Sequence, residues 1–255
     1  MDTNPYADMY PVIASCIVPV SKLVKEWKES PDLELEVRFG KLLSSRYDAS
    51  VSKELMDRII TFMTTSSAVK VVEWQQIHDY FHTDKNGHKM RTRVSFDTEN
   101  LAVATEHIYK QKLQDVHLRA ARLLSFEEAT GATQTPDLRV SLSRETNVPT
   151  ELMPESTRPH FTRIRQRKSI LLRGERAHSN WQFDFTMSWD GKTRDECERL
   201  QATTEPRFDI ECEIKNRRYG TGKSDVHVAT SFLLKVLDVM DDNSAWTFDS
   251  HVQYA

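Results

Sequence analysis

The 255-residue chain is poor in residues that break, staple or span a fold. Glycine occurs only 7 times, and no Pro/Gly/Ser-rich stretch, internal repeat or low-complexity run divides the sequence, so one domain over residues 1–255 is the economical organisation. The cysteines, Cys16, Cys197 and Cys212, are odd in number and lack paired spacing. That excludes a disulfide framework and a thiolate zinc site, and makes a reducing, intracellular compartment the expectation. Long hydrophobic runs are missing too. The longest near the N-terminus, residues 12–20, is interrupted by Ser15 and Pro19, falls far short of the roughly 20 residues of a membrane span, and has no basic n-region; no membrane is expected as a partner. Neither charge sign dominates: 35 Lys plus Arg stand against 38 Asp plus Glu, which excludes a disordered acidic chain and a strongly basic nucleic-acid wrapper. Any polyanion must therefore be met by local segregation of charge.

What is present is a core-forming composition, 38% hydrophobic, with two periodicities. Helical spacing predicts a helix over residues 9–29, broken at Pro19, and a second over 51–63 with Ser50 or Ser52 as N-cap. A third, after Ser224-Asp225, carries Val226, Ala229, Phe232, Leu233, Val236, Leu237 and Met240 as one stripe. Period-two alternation predicts strands near 33–41, 89–96, 107–113, 138–145, 161–172, 181–189 and 208–215, with Asp84-Lys85-Asn86-Gly87 as a hairpin turn. Residues 114–136 read as either a short helix or a long loop.

The polar faces of these strands are sorted by sign. Glu34, Glu36 and Arg38 share one face of the first strand, and Asp209, Glu211 and Glu213 one face of the last. Between them come Lys89, Arg91 and Arg93, then Lys110 and Lys112, then Arg163, Arg165 and Arg167 with Ser169. Like charges ~4 Å apart repel by about 4 kcal/mol at an effective dielectric near 20, so a sheet built only for solubility would mix its signs. Acids gathered on the outer strands and bases on the middle ones suit a divalent cation and a polyanion, together a metal phosphate. Closing about eight strands into a barrel would bring the first and last strands together and converge four or five carboxylates inside. Oxygen ligands without His or Cys suit magnesium or manganese. The apolar faces would then point outward, under the helices at 51–63 and 226–240. The histidines at 78, 82, 88 and 107 have no metal-ligand spacing, and Trp74, Trp181, Trp189 and Trp246 read as packing residues.

In series, these motifs resemble the tunnel-type, metal-dependent RNA 5′-triphosphatases of mRNA capping, found in fungi, protists and large DNA viruses. Glu34-Leu35-Glu36-Val37-Arg38-Phe39-Gly40 resembles the first glutamate strand and Asp209-Ile210-Glu211-Cys212-Glu213 the last. Arg163 to Ser169 resembles the phosphate-gripping strand and Gln182-Phe183-Asp184-Phe185-Thr186 the next, with Gln182 where fungal members tend to carry arginine. The resemblance implies an α+β, mainly β fold: a closed eight-stranded antiparallel β-barrel, the triphosphate tunnel, with helices outside. Residues 1–30 would be an N-terminal helical segment, 31–242 the tunnel core and 243–255 a C-terminal tail. It implies metal-dependent hydrolysis of the γ-phosphate of a 5′-triphosphate RNA end, and NTPase activity with manganese. Glu34, Glu36, Glu211 and Glu213 would hold Mg2+ or Mn2+, with Asp209 beside them. Arg163, Arg165 and Arg167 would contact phosphate, helped by Arg91 or Arg93 and by Lys110 or Lys112, while Glu145 would be a further catalytic carboxylate and Arg38, Asp184 and Thr186 would support. The expected partners are the RNA end and a guanylyltransferase domain or subunit, in a nucleus, a cytoplasmic viral factory or a virion. With no nucleotidyl-transfer lysine motif, the chain is expected to be one domain of a longer capping enzyme. Two other readings are hydrolysis of another triphosphate (nucleotide, tripolyphosphate or thiamine triphosphate) and a non-catalytic module for triphosphate ends, which four uncompensated glutamates argue against.

Overall fold

The computed structural model describes residues 11–65, 69–83, 88–97, 99–119, 136–150, 158–173 and 179–240. Helix α1 (Pro11–Glu29) leads into β1 (Leu33–Leu42) and a short β2 (Tyr47–Asp48), followed by α2 (Lys53–Thr64). Then come β3 (Val69–Thr83), β4 (Lys89–Phe96), β5 (Ala102–Leu118), β6 (Asp137–Asn147), β7 (Phe161–Arg173) and β8 (Ser179–Gly191). The last elements are α3 (Arg194–Thr203), β9 (Arg207–Ile214), a 3-10 turn (Arg217–Gly220) and α4 (Asp225–Asp238). The strand order β1-β6-β5-β4-β3-β7-β8-β9 is closed by antiparallel pairing of β9 with β1. The product is an eight-stranded barrel, with β2 added on the outside of β1.

Alternation decides which face is dry. Leu35, Val37 and Phe39 of β1, Leu138, Val140 and Leu142 of β6, and Phe183, Phe185, Ile210 and Cys212 of β8 and β9 all point outward and are buried. Each such side chain contributes about 1.5–3 kcal/mol of burial. What they meet is helix. Helix α1 packs Ile17, Val20, Leu23, Val24 and Trp27 into this layer, α2 packs Leu55, Met56, Ile59 and Met63, and α4 packs Val228, Phe232, Leu233 and Val236. Trp181 stacks on Phe232 with centroids 5.2 Å apart. Gly40 lets β2 approach β1: a Cβ there would sit 2.0 Å from the Asp48 carbonyl oxygen.

Several expectations need correction. Helix α1 is not broken at Pro19 but runs through it. Proline has no N–H to return to the preceding turn, yet Val20, Leu23 and Val24 are buried just beyond it and hold the helix on the barrel. The N-cap of α2 is Ser52, which accepts from Leu55 N at 3.2 Å. Val226 is exposed rather than part of the α4 stripe. The eighth strand, β3, and helix α3 are elements that the periodicities do not predict. Strand β5 also runs farther than expected and takes residues 114–118 from the ambiguous stretch. Its residues 120–135, the Asp84–Gly87 turn and the 243–255 tail lie outside the described residues.

Candidate active site

The barrel turns its charged faces inward, and register brings them together. Glu36 lies opposite Glu213, and Arg38 opposite Glu211, across the β1–β9 closure. On the other side of β1, Glu34 and Glu36 face Ser143 and Ser141 of β6, and Glu145 faces Lys110 of β5. This acidic wall is threaded by bases. Lys110 Nζ is 2.5 Å from Glu34, 3.1 Å from Glu145 and 3.6 Å from Glu36. Arg38 spans Glu36 and Glu211 at 3.0 and 2.9 Å, and Lys215 pairs with Glu213.

The titration of these groups follows from their neighbours. Burial opposes ionisation of Glu211, but Arg38, Arg167 and Lys110 outweigh it and hold the carboxyl down at about 2. For Glu213 burial wins, with Glu34 adding like-charge repulsion, and the carboxyl is pushed up to about 8 against the pull of Lys215. Burial also opposes the charge on Lys110, yet Glu36, Glu34 and Glu145 keep it above the usual lysine range. Glu145 is held below the usual carboxylate range, burial being outweighed by Lys110 and Arg91.

The facing wall is basic and built differently. Arg91 and Arg93 of β4 and Arg165 of β7 surround Asp79 of β3, whose side chain is only 1% exposed. Arg93 Nε donates to Asp79 Oδ1 at 3.0 Å, Arg165 pairs with its other oxygen, and Arg91 stands 3.9 Å away. Burial raises the Asp79 carboxyl, but Arg165, Arg93 and Arg91 outweigh it and hold it below the usual range. Arg167 reaches Asp184 at 3.3 Å, which also accepts from Ser169 and Gln182 at 2.5 and 2.8 Å. Nε of Arg91, Arg165 and Arg167 are buried donors without a hydrogen-bond partner. Leaving such a group unmet costs about 1–3 kcal/mol, so three in one tunnel mark a place shaped for acceptor oxygens. Burial depresses the Arg165 guanidinium well below its usual value even with Asp79 beside it.

The tunnel thus gathers Glu34, Glu36, Arg38, Glu211, Glu213, Glu145, Lys110, Arg91, Arg93, Arg165, Arg167, Asp184 and Thr186. Three expected residues are engaged by other side chains. Lys112, 62% exposed, pairs with Asp115. Arg163 is clamped by Asp190 at 2.5 and 2.8 Å. Asp209 is bound by Arg207 at 2.9 and 3.1 Å, although burial still raises its carboxyl. Sequence reading missed Asp79 altogether. It sits on a strand whose faces both mix polar and apolar residues, Ile77-Asp79-Phe81 and His78-Tyr80-His82. A bulge between Val72 and Gln75 also breaks the period of two.

Among the described residues no three His, Cys, Asp or Glu converge closely enough to hold a metal as they stand, and Lys110, Arg38 and Lys215 pair with the carboxylates. The donor set nonetheless fits a hard divalent cation. Four glutamates lie on adjoining strands without His or Cys, and the upward push of Glu34 on Glu213 marks like charge that a cation would neutralise. Lysine is a flexible point charge that can turn aside. Among the described residues no helix is long and apolar enough to cross a membrane.

No family model and no curated protein matches the sequence. Solved structures match the fold. The Pct1 RNA triphosphatase of S. pombe superposes with a TM-score of 0.62 at 14% identity, covering 90% of this chain and 93% of that one. The same enzyme in complex with the Spt5 CTD gives 0.61 at 16% identity, covering 90% and 94%. The RNA triphosphatase domain of a trifunctional mimivirus mRNA capping enzyme gives 0.55 at 12% identity, covering 89% and 96%. The chain has the closed tunnel fold of the fungal and mimivirus RNA triphosphatases.

Proposed function

We propose that this chain is a metal-dependent RNA 5′-triphosphatase that removes the γ-phosphate of a 5′-triphosphate RNA end and leaves the diphosphate that capping requires. One observation carries the reading: inside a single closed barrel, four glutamates face three arginines whose buried Nε atoms have no hydrogen-bond partner. Phosphoryl transfer asks chiefly for positioning and charge neutralisation, and the two walls divide those tasks. A Mg2+ or Mn2+ ion held by Glu34, Glu36, Glu211 and Glu213 would neutralise charge on the γ-phosphoryl group.

Arg91, Arg165 and Arg167 bind the phosphate oxygens, and Asp79 fixes the orientation of Arg91 and Arg165 before substrate arrives. Ser169 and Gln182 hold Asp184, and Asp184 in turn aims Arg167. Glu145, kept ionised by Lys110 and Arg91, orients the attacking water and accepts its proton. The water oxygen bonds to the γ-phosphorus as the bond to the β-phosphate bridging oxygen breaks, and the electron pair leaves on the diphosphate. With the γ end beside the cation that the glutamates would hold, the diphosphate would depart along the arginines. A guanylyltransferase, as a domain or a subunit, is the natural consumer of that product.

The test is release of γ-phosphate from triphosphate-ended RNA with and without magnesium or manganese, beside ATP and tripolyphosphate. Release that requires a divalent cation is expected. A well-folded protein that releases no phosphate with either metal would overturn the proposal.

A further inference from the structure

The residues that grip phosphate cannot by themselves tell an RNA end from any other triphosphate, so discrimination belongs where the basic wall meets the mouth. There β3 and β7 present two phenylalanines. Phe81 and Phe161 are direct partners in the β3–β7 ladder, and each lies two residues from an inward-facing charge, Asp79 and Arg163 respectively, so both rings hang on the inner face. Their centroids are 5.3 Å apart with the planes at 56°. Ile77 and Ile108, also on the inner face, are only 4% and 5% exposed, whereas both phenylalanines keep more of their surface open.

Arg163 completes the patch. Its guanidinium lies 5.9 Å from the Phe81 centroid and 5.6 Å from that of Phe161, and its edge is occupied by Asp190 through Nε and Nη2. An arginine held by its edge offers its flat face, not a fork for phosphate. The surrounding charge is balanced: Arg207 pairs with Asp209 at 2.9 Å and reaches Asp190 at 3.6 Å. A neutral mouth does not repel a base, whereas the opposite end of the tunnel carries Glu34 and Glu213. Direction follows from the ladder. Arg167, Arg165, Arg163 and Phe161 descend β7 at two-residue steps of roughly 6.6 Å. A phosphate chain with its γ end at the acidic wall therefore runs past Arg167 and Arg165 and delivers its nucleoside to the phenylalanines.

We propose that Phe81, Phe161 and the guanidinium plane of Arg163 form a stacking platform for the 5′-terminal base of the RNA. The proposal rests on the RNA-end reading above. Aromatic rings and arginine planes accept any base, because every base has a π-face. The platform therefore selects for an RNA end over inorganic tripolyphosphate without selecting among sequences.

The experiment compares kcat/KM for a triphosphate-ended oligoribonucleotide, the same oligonucleotide with an abasic 5′ residue, and tripolyphosphate, in the wild type, Phe161→Leu and Phe81→Leu. The wild type is expected to prefer the intact end over the abasic one by about tenfold to a hundredfold, the range base–aromatic stacking supplies. In each variant that ratio should collapse toward one. A wild type indifferent to the missing base would overturn the platform, and that comparison needs no variant to fold. Variants that keep the wild-type ratio, or lose all three substrates equally, would also overturn it and leave the phenylalanines as packing at a barrel end. A wild type that cleaves tripolyphosphate but neither RNA would remove the RNA-end reading and the platform together. One that cleaves both RNAs equally would remove the platform alone.

Discussion

The two charged walls of the tunnel are mirror images in sign but not in construction. On the acidic wall a single lysine, Lys110, lies within 3.6 Å of three glutamates. On the basic wall a single aspartate, Asp79, lies within 3.9 Å of three arginines. Lys110 is a flexible, partly exposed ammonium, and Asp79 is a short, fully enclosed carboxylate. The first can be displaced by a cation of higher charge without disturbing the backbone; the second cannot leave without stranding its partners. The difference teaches that the acidic wall is built to exchange its counter-ion and the basic wall to keep it.

The comparison breaks hardest at Asp79. Asp79→Ala leaves buried guanidinium groups facing one another, and removing one partner of a buried pair costs about 3–5 kcal/mol. Thermal denaturation should show a fall on the order of 10 °C for a chain of this size, with activity lost as well. Asp79→Asn should fall less, and its deficit should depend on pH in a fixed sense. A carboxyl held below its usual value stabilises fully above the unfolded aspartate value near 3.9 and loses that contribution as the pH falls through its folded value. Wild type and Asp79→Asn should therefore converge in acid. Melting curves that stay parallel down to low pH would contradict this account.

Next in size is the opposite pattern on the acidic wall. Glu213→Gln should abolish turnover yet leave the metal-free melting temperature unchanged or higher, since it removes a carboxylate that burial and Glu34 disfavour. Magnesium should raise the wild-type melting temperature by mass action and raise that of the variant less. Near-normal phosphate release by purified Glu213→Gln would refute its place in the site. Arg165→Ala should cost 10²-fold or more in rate, with Arg165→Lys recovering part of it, because lysine lacks the bidentate fork. The smallest effect belongs to Lys168. It lies between the inward Arg167 and Ser169 but faces outward, paired with the exposed Glu73 at 3.0 Å. Lys168→Ala should keep full rate and change stability by no more than about 1 kcal/mol. A loss equal to that of Arg165→Ala would mean the β7 register is wrong.

What could be read in advance depended on how strictly each strand alternates. Strands β1, β7 and β9 keep a clean period of two, and the residues they bring to the tunnel were legible from it. Strand β3 was not, because its bulge shifts the period and its two faces are equally mixed. Asp79, the centre of the basic wall, was therefore lost with it. Helix α3 buries only Cys197 and so shows no apolar stripe. The choice between Lys110 and Lys112 is made by their partners, three glutamates for Lys110 and Asp115 for the exposed Lys112, which spacing alone does not carry. That Arg163 turns its edge to Asp190 is a matter of side-chain rotamer, decided only once β7 and β8 are paired.

Closure of the barrel has a consequence in time. Glu36 and Glu213 meet only where β1 pairs with β9, and these are the first and last strands of the barrel. Contacts so distant along the chain carry a large loop-closure entropy and tend to form late in folding. The carboxylate cluster is thus the final part of the tunnel to come into being. A partly folded chain would already have β3 and β4 adjacent, with Arg91 and Arg93 beside Asp79, and would hold polyanions before it could act on them. Refolding followed by two probes, anion binding and cation binding, should show the first recovering ahead of the second.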